Sequence, residues 1–256
     1  MTSGDVVLRN LPFPIRIRMR LVLGRSRILG HELAGVVETV GGEVTRFRKS
    51  DEVFASTGLA GGANAEFICL PETGIVALKP ANRTYEEAAA VPVGGLTALH
   101  FLRKAAIQPG QSVLIYGASG SVGSYAVQLA GYFGAQVTAV CSTANLEWVK
   151  ALGADGVMDY TKGDFSRSGE TYDVVFDAVG KASASQCQRA LKNRGTHLSV
   201  KSPSSENAPG LVFLKGLIEA GGLRPVIDRR YPLEQVAEAH RYVEAGHKKG
   251  NVVLVL

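Results

Sequence analysis

The chain has 256 residues, 46% of them hydrophobic and 20% charged, with 28 Lys+Arg against 23 Asp+Glu for a net charge of +5. That balance excludes a disordered polymer, fits one or two packed domains, and is too mild for a nucleic-acid binder, which needs a clustered basic face. Cys69, Cys141 and Cys187 are odd in number and far apart, which excludes a disulfide framework or a CxxC metal site and points to a reducing, cytoplasmic setting.

No apolar run reaches the roughly 18 residues of a membrane span. The start, Met1-Thr2-Ser3-Gly4-Asp5, lacks the charged-then-apolar pattern of a secretory signal. From residue 1 to about 80 the chain reads as short strands and turns. Residues 33–40 and 66–70 are β-type runs, punctuated by Gly41-Gly42, Gly58 and Gly61-Gly62. Residues 15–21 alternate apolar and basic side chains. They read as a half-buried strand or an irregular segment with a solvated face, in preference to a membrane-surface or anion-binding edge.

From about residue 84 to 226 apolar strands alternate with helical patterns. Strands are expected at 112–116, 136–140, 156–159, 174–177 and 196–200, and helices at 122–133, 146–152 and 183–193. Such alternation means βαβ units and a parallel sheet. A helix near 233–245 and a strand at 252–256 close the chain, with Pro225 and Pro232 marking the passage into them.

The sharpest chemical signal is Val113-Leu114-Ile115-Tyr116-Gly117-Ala118-Ser119-Gly120-Ser121-Val122-Gly123. A buried strand enters a glycine turn and a helix leaves it. Ala118, Gly120 and Gly123 hold the positions of G-x-G-x-x-G, with Ala in place of the first Gly. The second position lacks a side chain so that backbone approaches a pyrophosphate, and the third lets helix and strand pack closely. N–H groups at the helix start, around Ser119, Ser121 and Val122, then bind the phosphates. The alternative is a structural turn that binds nothing. The strand before and the amphipathic helix after favour the binding reading.

Cofactor choice is readable past the second strand, where an NAD site carries Asp or Glu for the ribose 2′-OH. Here the stretch is Val140-Cys141-Ser142-Thr143-Ala144-Asn145, with no acid. Ser142, Thr143 and Asn145 offer hydrogen bonds to a 2′-phosphate, so NADPH is favoured over NADH. Tyr160 either stacks on adenine, reaches that phosphate, or packs at a strand end.

These residues resemble the medium-chain dehydrogenase/reductases of the quinone oxidoreductase type. The resemblance is carried by Ile28-Leu29-Gly30-His31-Glu32-Leu33-Ala34-Gly35-Val36-Val37, by Phe47-Arg48-Lys49-Ser50-Asp51-Glu52-Val53-Phe54, by Ala88-Ala89-Ala90-Val91-Pro92 with Gly95-Leu96-Thr97-Ala98, by the glycine turn, by Leu152-Gly153-Ala154-Asp155 and by Phe176-Asp177-Ala178-Val179-Gly180. It implies an α/β fold: a Rossmann doubly wound parallel sheet joined to a GroES-like β domain. It sets residues 1–90, completed by 228–256, as a shortened GroES-like substrate domain and 91–227 as the dinucleotide-binding domain. It also implies that Thr97 lies near the nicotinamide, that Ala178, Val179 and Gly180 border the cofactor, that Ser199 and Val200 end a strand at the same cleft, and that Tyr160 stands beside the 2′-phosphate. Asn145 takes a position where relatives often carry a lysine for that phosphate. Asp5 matches an aspartate turn that lines the site.

His31-Glu32 resembles the Gly-His-Glu of zinc alcohol dehydrogenases. A catalytic zinc needs three protein ligands, and no cysteine precedes Cys69 to supply the family's thiol. No metal is therefore expected, and an unactivated alcohol is a poor substrate without a Lewis acid. The expected reaction is hydride transfer from NADPH to a small electrophilic acceptor, a quinone or an α,β-unsaturated carbonyl, with no nucleic-acid or membrane partner. The alternatives are a non-catalytic cofactor-binding remnant and, less well supported by the residues, a zinc alcohol dehydrogenase.

In the family the β domain normally begins a few dozen residues before the position of Met1, so the chain is expected to begin inside that domain. The link 201–210 is also too short for a crossover of roughly a dozen residues to a sixth strand. A five-stranded sheet with an exposed edge is expected, and dimerisation of the family's usual kind is not.

Overall fold

The first strands are short runs of small and bulky apolar residues, and they build a small antiparallel sheet. The computed structural model describes Met1 and residues 3–9, 28–246 and 248–256. The basic alternation at 15–21 lies outside the described residues. A short helix α1 (Ser3–Arg9) replaces the expected turn around Asp5. Strands β1 (Glu32–Val36), β2 (Glu52–Ser56) and β3 (Ile75–Leu78) follow, with β2 in the centre and both pairings antiparallel. Val53, Ala55 and Val76 form their core, with Leu33, Val37, Phe47 and Leu70 packed around it. The expected strand at 66–70 does not form: that stretch is irregular and its Phe67 ring is exposed. An apolar run without a neighbouring strand to pair with makes no strand, because β-propensity reflects context. Helix α2 (Tyr85–Ala89) opens with a capping box in which Thr84 and Glu87 satisfy each other's backbone N–H groups.

Helix α3 (Pro92–Lys104) precedes the parallel sheet. The sheet contains β4 (Ser112–Tyr116), β5 (Gln136–Cys141), β6 (Gly156–Asp159), β7 (Tyr172–Asp177) and β8 (Leu191–Ser199). Helices α4 (Ser121–Tyr132), α5 (Leu146–Lys150) and α6 (Ala184–Ala190) connect them. The order is β6-β5-β4-β7-β8, with every neighbour parallel. Val113, Leu114 and Ile115 have no exposed surface, as a strand covered on both faces requires. Strand order reverses beside β4, and in such sheets ligands bind outside the carboxyl ends of the strands at that point. The expected helix to residue 193 stops at Ala190, and β8 begins at once. Arg194 takes φ 67° there, and the register against β7 shifts between Tyr172 and Val174. Lys192 and Arg194 stand exposed on this edge strand, the arrangement that discourages edge-to-edge pairing.

Helix α7 (Ala208–Glu219) follows, capped by Asn207, whose Oδ1 accepts the Gly210 N–H at 2.8 Å. The sequence reading has no helix here. Leu211, Leu214, Leu217 and Ile218 recur at helical spacing and are buried, so tertiary packing makes a helix of a segment whose start looks like a loop. Strand β9 (Ile227–Pro232), helix α8 (Val236–Glu244) and strand β10 (Asn251–Val255) end the chain, with β9 and β10 parallel. Ala239 and Val243 of α8 pack with Val252, Val6 and Met1.

Contacts divide the chain into two units. Met1–Val93, Glu206–Gly221 and Pro225–Leu256 form the first; Gly94–Ser205 and Gly222–Arg224 form the second. The expected boundaries fall at 90 and 227, so the difference lies mainly in α7, which packs on β3 in the first unit. The second unit is the doubly wound sheet and the first holds the small antiparallel sheet. Among the described residues no helix is long and apolar enough to cross a membrane.

Candidate nucleotide site in the second unit

The turn after β4 is fixed by its own backbone. Gly117 takes φ 80°, in the left-handed region, and a Cβ there would strike the Val179 side chain. The N–H groups of Gly117 and Ala118 both donate to Val140 O at 3.0 Å, which ties the turn to β5. The Gly120 N–H donates to Gly117 O at 3.1 Å. Helix α4 then starts with no side chain capping it at Gly120. The first N–H groups of any α-helix lack helical acceptors, and Ser119, Ser121 and Val122 around this start are only half-buried.

The two later glycines differ in what they meet. A Cβ on Gly123 would run into Gly117 O and lie 2.7 Å from Ala118 Cα. Glycine at 123 is thus a requirement of the fold. A Cβ on Gly120 would meet only Gly117 O, at 3.5 Å, an ordinary contact, and its backbone at φ −83°, ψ 179° suits any residue. Among the described residues nothing demands glycine at 120. Close approach of a ligand diphosphate to the backbone is what calls for glycine at this position of such a turn.

The loop after β7 is organised by Asp177, which is buried. Its Oδ1 accepts N–H groups from Val179 at 3.2 Å, Gly180 at 2.8 Å and Lys181 at 3.3 Å, and its Oδ2 accepts that of Ala182 at 3.1 Å. One carboxylate therefore shapes the segment Ala178, Val179 and Gly180, and holds Val179 against Gly117. Ser199 ends β8 on the neighbouring strand, where its Oγ accepts the Lys201 N–H at 3.3 Å. Thr97 is buried on α3. That helix approaches α4 closely, since a Cβ on Gly94 would lie 3.2 Å from the Tyr125 ring.

At the far corner, β5 ends in Ser142. Asn145 is buried and engaged at both ends: its Nδ2 donates to Ser142 Oγ at 2.9 Å and its Oδ1 accepts the Trp148 indole N–H at 2.8 Å. Asn145 thus braces the loop rather than presenting its amide outward. Thr143 donates its hydroxyl to Asp159 at the end of β6. Asp159 also accepts the Thr161 N–H at 2.9 Å and hydroxyl at 2.7 Å. Those hydrogen bonds, from Thr143 first, hold its carboxyl below the usual aspartate range. Tyr160 follows with its ring half exposed, 6.3 Å from the Tyr116 ring centre. Burial keeps the Cys141 thiol unreactive by raising its pKa to about 11.

The first unit carries a separate polar cluster. His31 Nδ1 lies 2.6 Å from Asp5 Oδ1, which also accepts the Gly30 N–H at 3.1 Å. Burial lowers the His31 pKa, but the Asp5 hydrogen bond and charge outweigh it, so the imidazole titrates above the ordinary histidine value. Ser56 donates its hydroxyl to Glu206, whose pKa is raised by burial. Burial also raises that of Glu32, which accepts the Val93 N–H at 3.1 Å. These residues do not fit a catalytic zinc. His31 is committed to Asp5, and among the described residues no group of three His, Cys, Asp or Glu side chains stands together as a metal site.

Sequence reasoning places Gly120, Gly123, Ala178, Val179, Gly180 and Ser199 around the ends of adjacent strands, where the structure has them. It misses Asp177 and Asp159 as organisers. An acid directly before a small-residue loop is the local signal for the first. Trp148, three residues after Asn145, is the signal for the brace.

Three family models match the chain: an alcohol dehydrogenase GroES-like domain over residues 5–80 and two zinc-binding dehydrogenase domains over 121–219 and 203–254. An NADPH-dependent alkenal/one oxidoreductase of Arabidopsis thaliana is 35% identical over 88% of the chain. A chloroplast envelope quinone oxidoreductase homolog of the same plant is 32% identical over 87% of the chain and 78% of its own length. The solved structure of the quinone oxidoreductase from Coxiella burnetii superposes with a TM-score of 0.90 at 27% identity, covering 100% of this chain and 87% of that one. The chain spans 63% of the alkenal/one oxidoreductase and 62% of a second plant relative.

Proposed function

Because the chain belongs to the medium-chain dehydrogenase/reductase superfamily, with quinone and alkenal/one oxidoreductases among its relatives, we propose that it is an NADPH-dependent reductase of quinones or α,β-unsaturated carbonyls that works without a metal. The observation that carries this reading is the glycine turn: Gly120 leaves room that the fold itself does not need, directly before an uncapped helix start. A bound reduced nicotinamide supplies the hydride. The chain's own residues bind and orient. Backbone around Ser119 to Val122 receives the diphosphate. The Asp177-braced loop of Ala178 to Gly180, with Thr97 and Ser199, forms the wall for the nicotinamide half and excludes water. Ser142 and Tyr160 face the adenosine half, and no carboxylate stands among residues 140–145 to bond a ribose 2′-OH. Solvent protonates the oxygen of an acceptor that is already electron-poor, so no Lewis acid is required.

The test is turnover by the purified full chain with 1,4-benzoquinone and with a short 2-alkenal, using NADPH carrying deuterium at nicotinamide C4. Deuterium appearing at the β-carbon of the alkenal supports the reading. Saturable nucleotide binding without any turnover assigns the chain instead as a nucleotide-binding module. Metal chelation is expected to leave the rate unchanged.

A further inference from the structure

With Asn145 turned inward, the adenosine corner needs a cation from elsewhere if it is to favour a 2′-phosphate. The 142–145 loop carries no Lys or Arg. The structure brings another segment to it. Thr161 Oγ1 lies 3.1 Å from Thr143 Oγ1, and both hydroxyls serve Asp159. The chain turns there, the Lys162 N–H donating to Asp159 O at 3.2 Å. The Lys162 ammonium stands 3.9 Å from Asp159 Oδ2 and is 71% exposed, whereas Asp159 is 8% exposed.

We propose that Lys162 is the residue that selects for a 2′-phosphorylated nucleotide, supplying at the end of β6 the positive charge that the β5–α5 loop, with no Lys or Arg, does not carry. The assignment rests on the reading that the Gly120 turn holds a dinucleotide. Asp159 is the positioning residue. Its oxygens are occupied by Thr143 and Thr161, and it tethers the lysine at the same corner as Ser142 and Tyr160. An exposed lysine–carboxylate pair holds weakly, so the long side chain swings readily from the singly charged Asp159 to a dianionic phosphate. Such a contact is a charge-assisted hydrogen bond to a group of higher charge.

The test separates the adenosine end from the rest of the cofactor. Calorimetric titration of the full chain and of Lys162→Gln with 2′,5′-ADP and with 5′-AMP reads the 2′-phosphate contribution alone. Lys162→Gln is expected to weaken 2′,5′-ADP about five- to tenfold and 5′-AMP less than about twofold, because one phosphate contact is lost. Lys162→Arg is expected to restore the preference, and raised salt to erase it. Equal weakening of both ligands by Lys162→Gln, an unchanged affinity for 2′,5′-ADP, or equal affinity of the unmodified chain for the two ligands overturns the assignment. Binding of neither ligand by the unmodified chain overturns the nucleotide reading as well.

Discussion

Replacing each of the two glycines that flank the start of α4 by alanine separates a packing role from a ligand role. At Gly123 the new methyl meets backbone: it collides with Gly117 O and lies 2.7 Å from Ala118 Cα. Neither atom belongs to a flexible side chain, so helix and strand must move apart. Overpacking of this kind costs about 2 kcal/mol, which in a chain of this size lowers Tm by roughly 4–8 °C. At Gly120 the methyl finds Gly117 O at 3.5 Å and an extended backbone that alanine tolerates. Loss of chain entropy in the unfolded state then stabilises Gly120→Ala by about 0.4–1 kcal/mol. The same methyl stands where the diphosphate approaches and removes one or more charge-assisted hydrogen bonds worth about 1.5–3 kcal/mol each, so the Kd for NADPH rises roughly ten- to a hundredfold. Thermal unfolding and nicotinamide fluorescence titration on both variants read the two effects. A Gly120→Ala variant that binds NADPH like the parent, or one that loses as much stability as Gly123→Ala, refutes the division of roles.

Three further outcomes follow from the geometry. Asp177→Ala strands four N–H groups that now share one buried carboxylate. A loss of about 2–4 kcal/mol in urea unfolding is expected, with Asp177→Asn losing less because one acceptor oxygen remains. Asn145→Ala removes the Trp148 acceptor and the Ser142 donor. It is expected to cost about 1–2 kcal/mol while shifting the ratio of NADPH to NADH affinity by less than about twofold. A large shift in that ratio contradicts the brace. The raised pKa of His31 makes its pair with Asp5 a pH-dependent tie. The stabilisation is complete below the unfolded histidine value of about 6.5 and is lost as pH rises through the higher folded value. The Tm gap between the parent and His31→Gln is therefore expected to be widest near pH 6 and to narrow on going alkaline; a gap that stays constant or widens contradicts the pairing.

A strand buried on both faces is legible in the sequence: β4 falls on the expected residues because an uninterrupted apolar run ending in a glycine turn has few other fates. The half-buried edge strand β6 also falls on its expected residues. α7 was hidden because Asn207 and Pro209 read as loop, although the same two residues are a helix cap and a first-turn proline. The boundary at Ala190 is not legible in the sequence because nothing local separates the end of α6 from the start of β8. The sheet register and the left-handed Arg194 decide it. In the site, the glycine spacing was readable because its mechanism is local. The brace from Asn145 to Trp148 and the tether from Asp159 to Thr143 join residues across loops. The Ser56–Glu206 hydrogen bond spans 150 positions, and no periodicity reports such a contact.

The central claim is that the backbone at Gly120 holds a dinucleotide. Isothermal titration of NADPH into the purified chain tests it most directly. Saturable binding at one site per chain is expected, abolished or strongly weakened in Gly120→Ala and intact in a surface control such as Lys104→Gln. Absence of a binding isotherm in the parent, or full binding by the Gly120 variant, contradicts it.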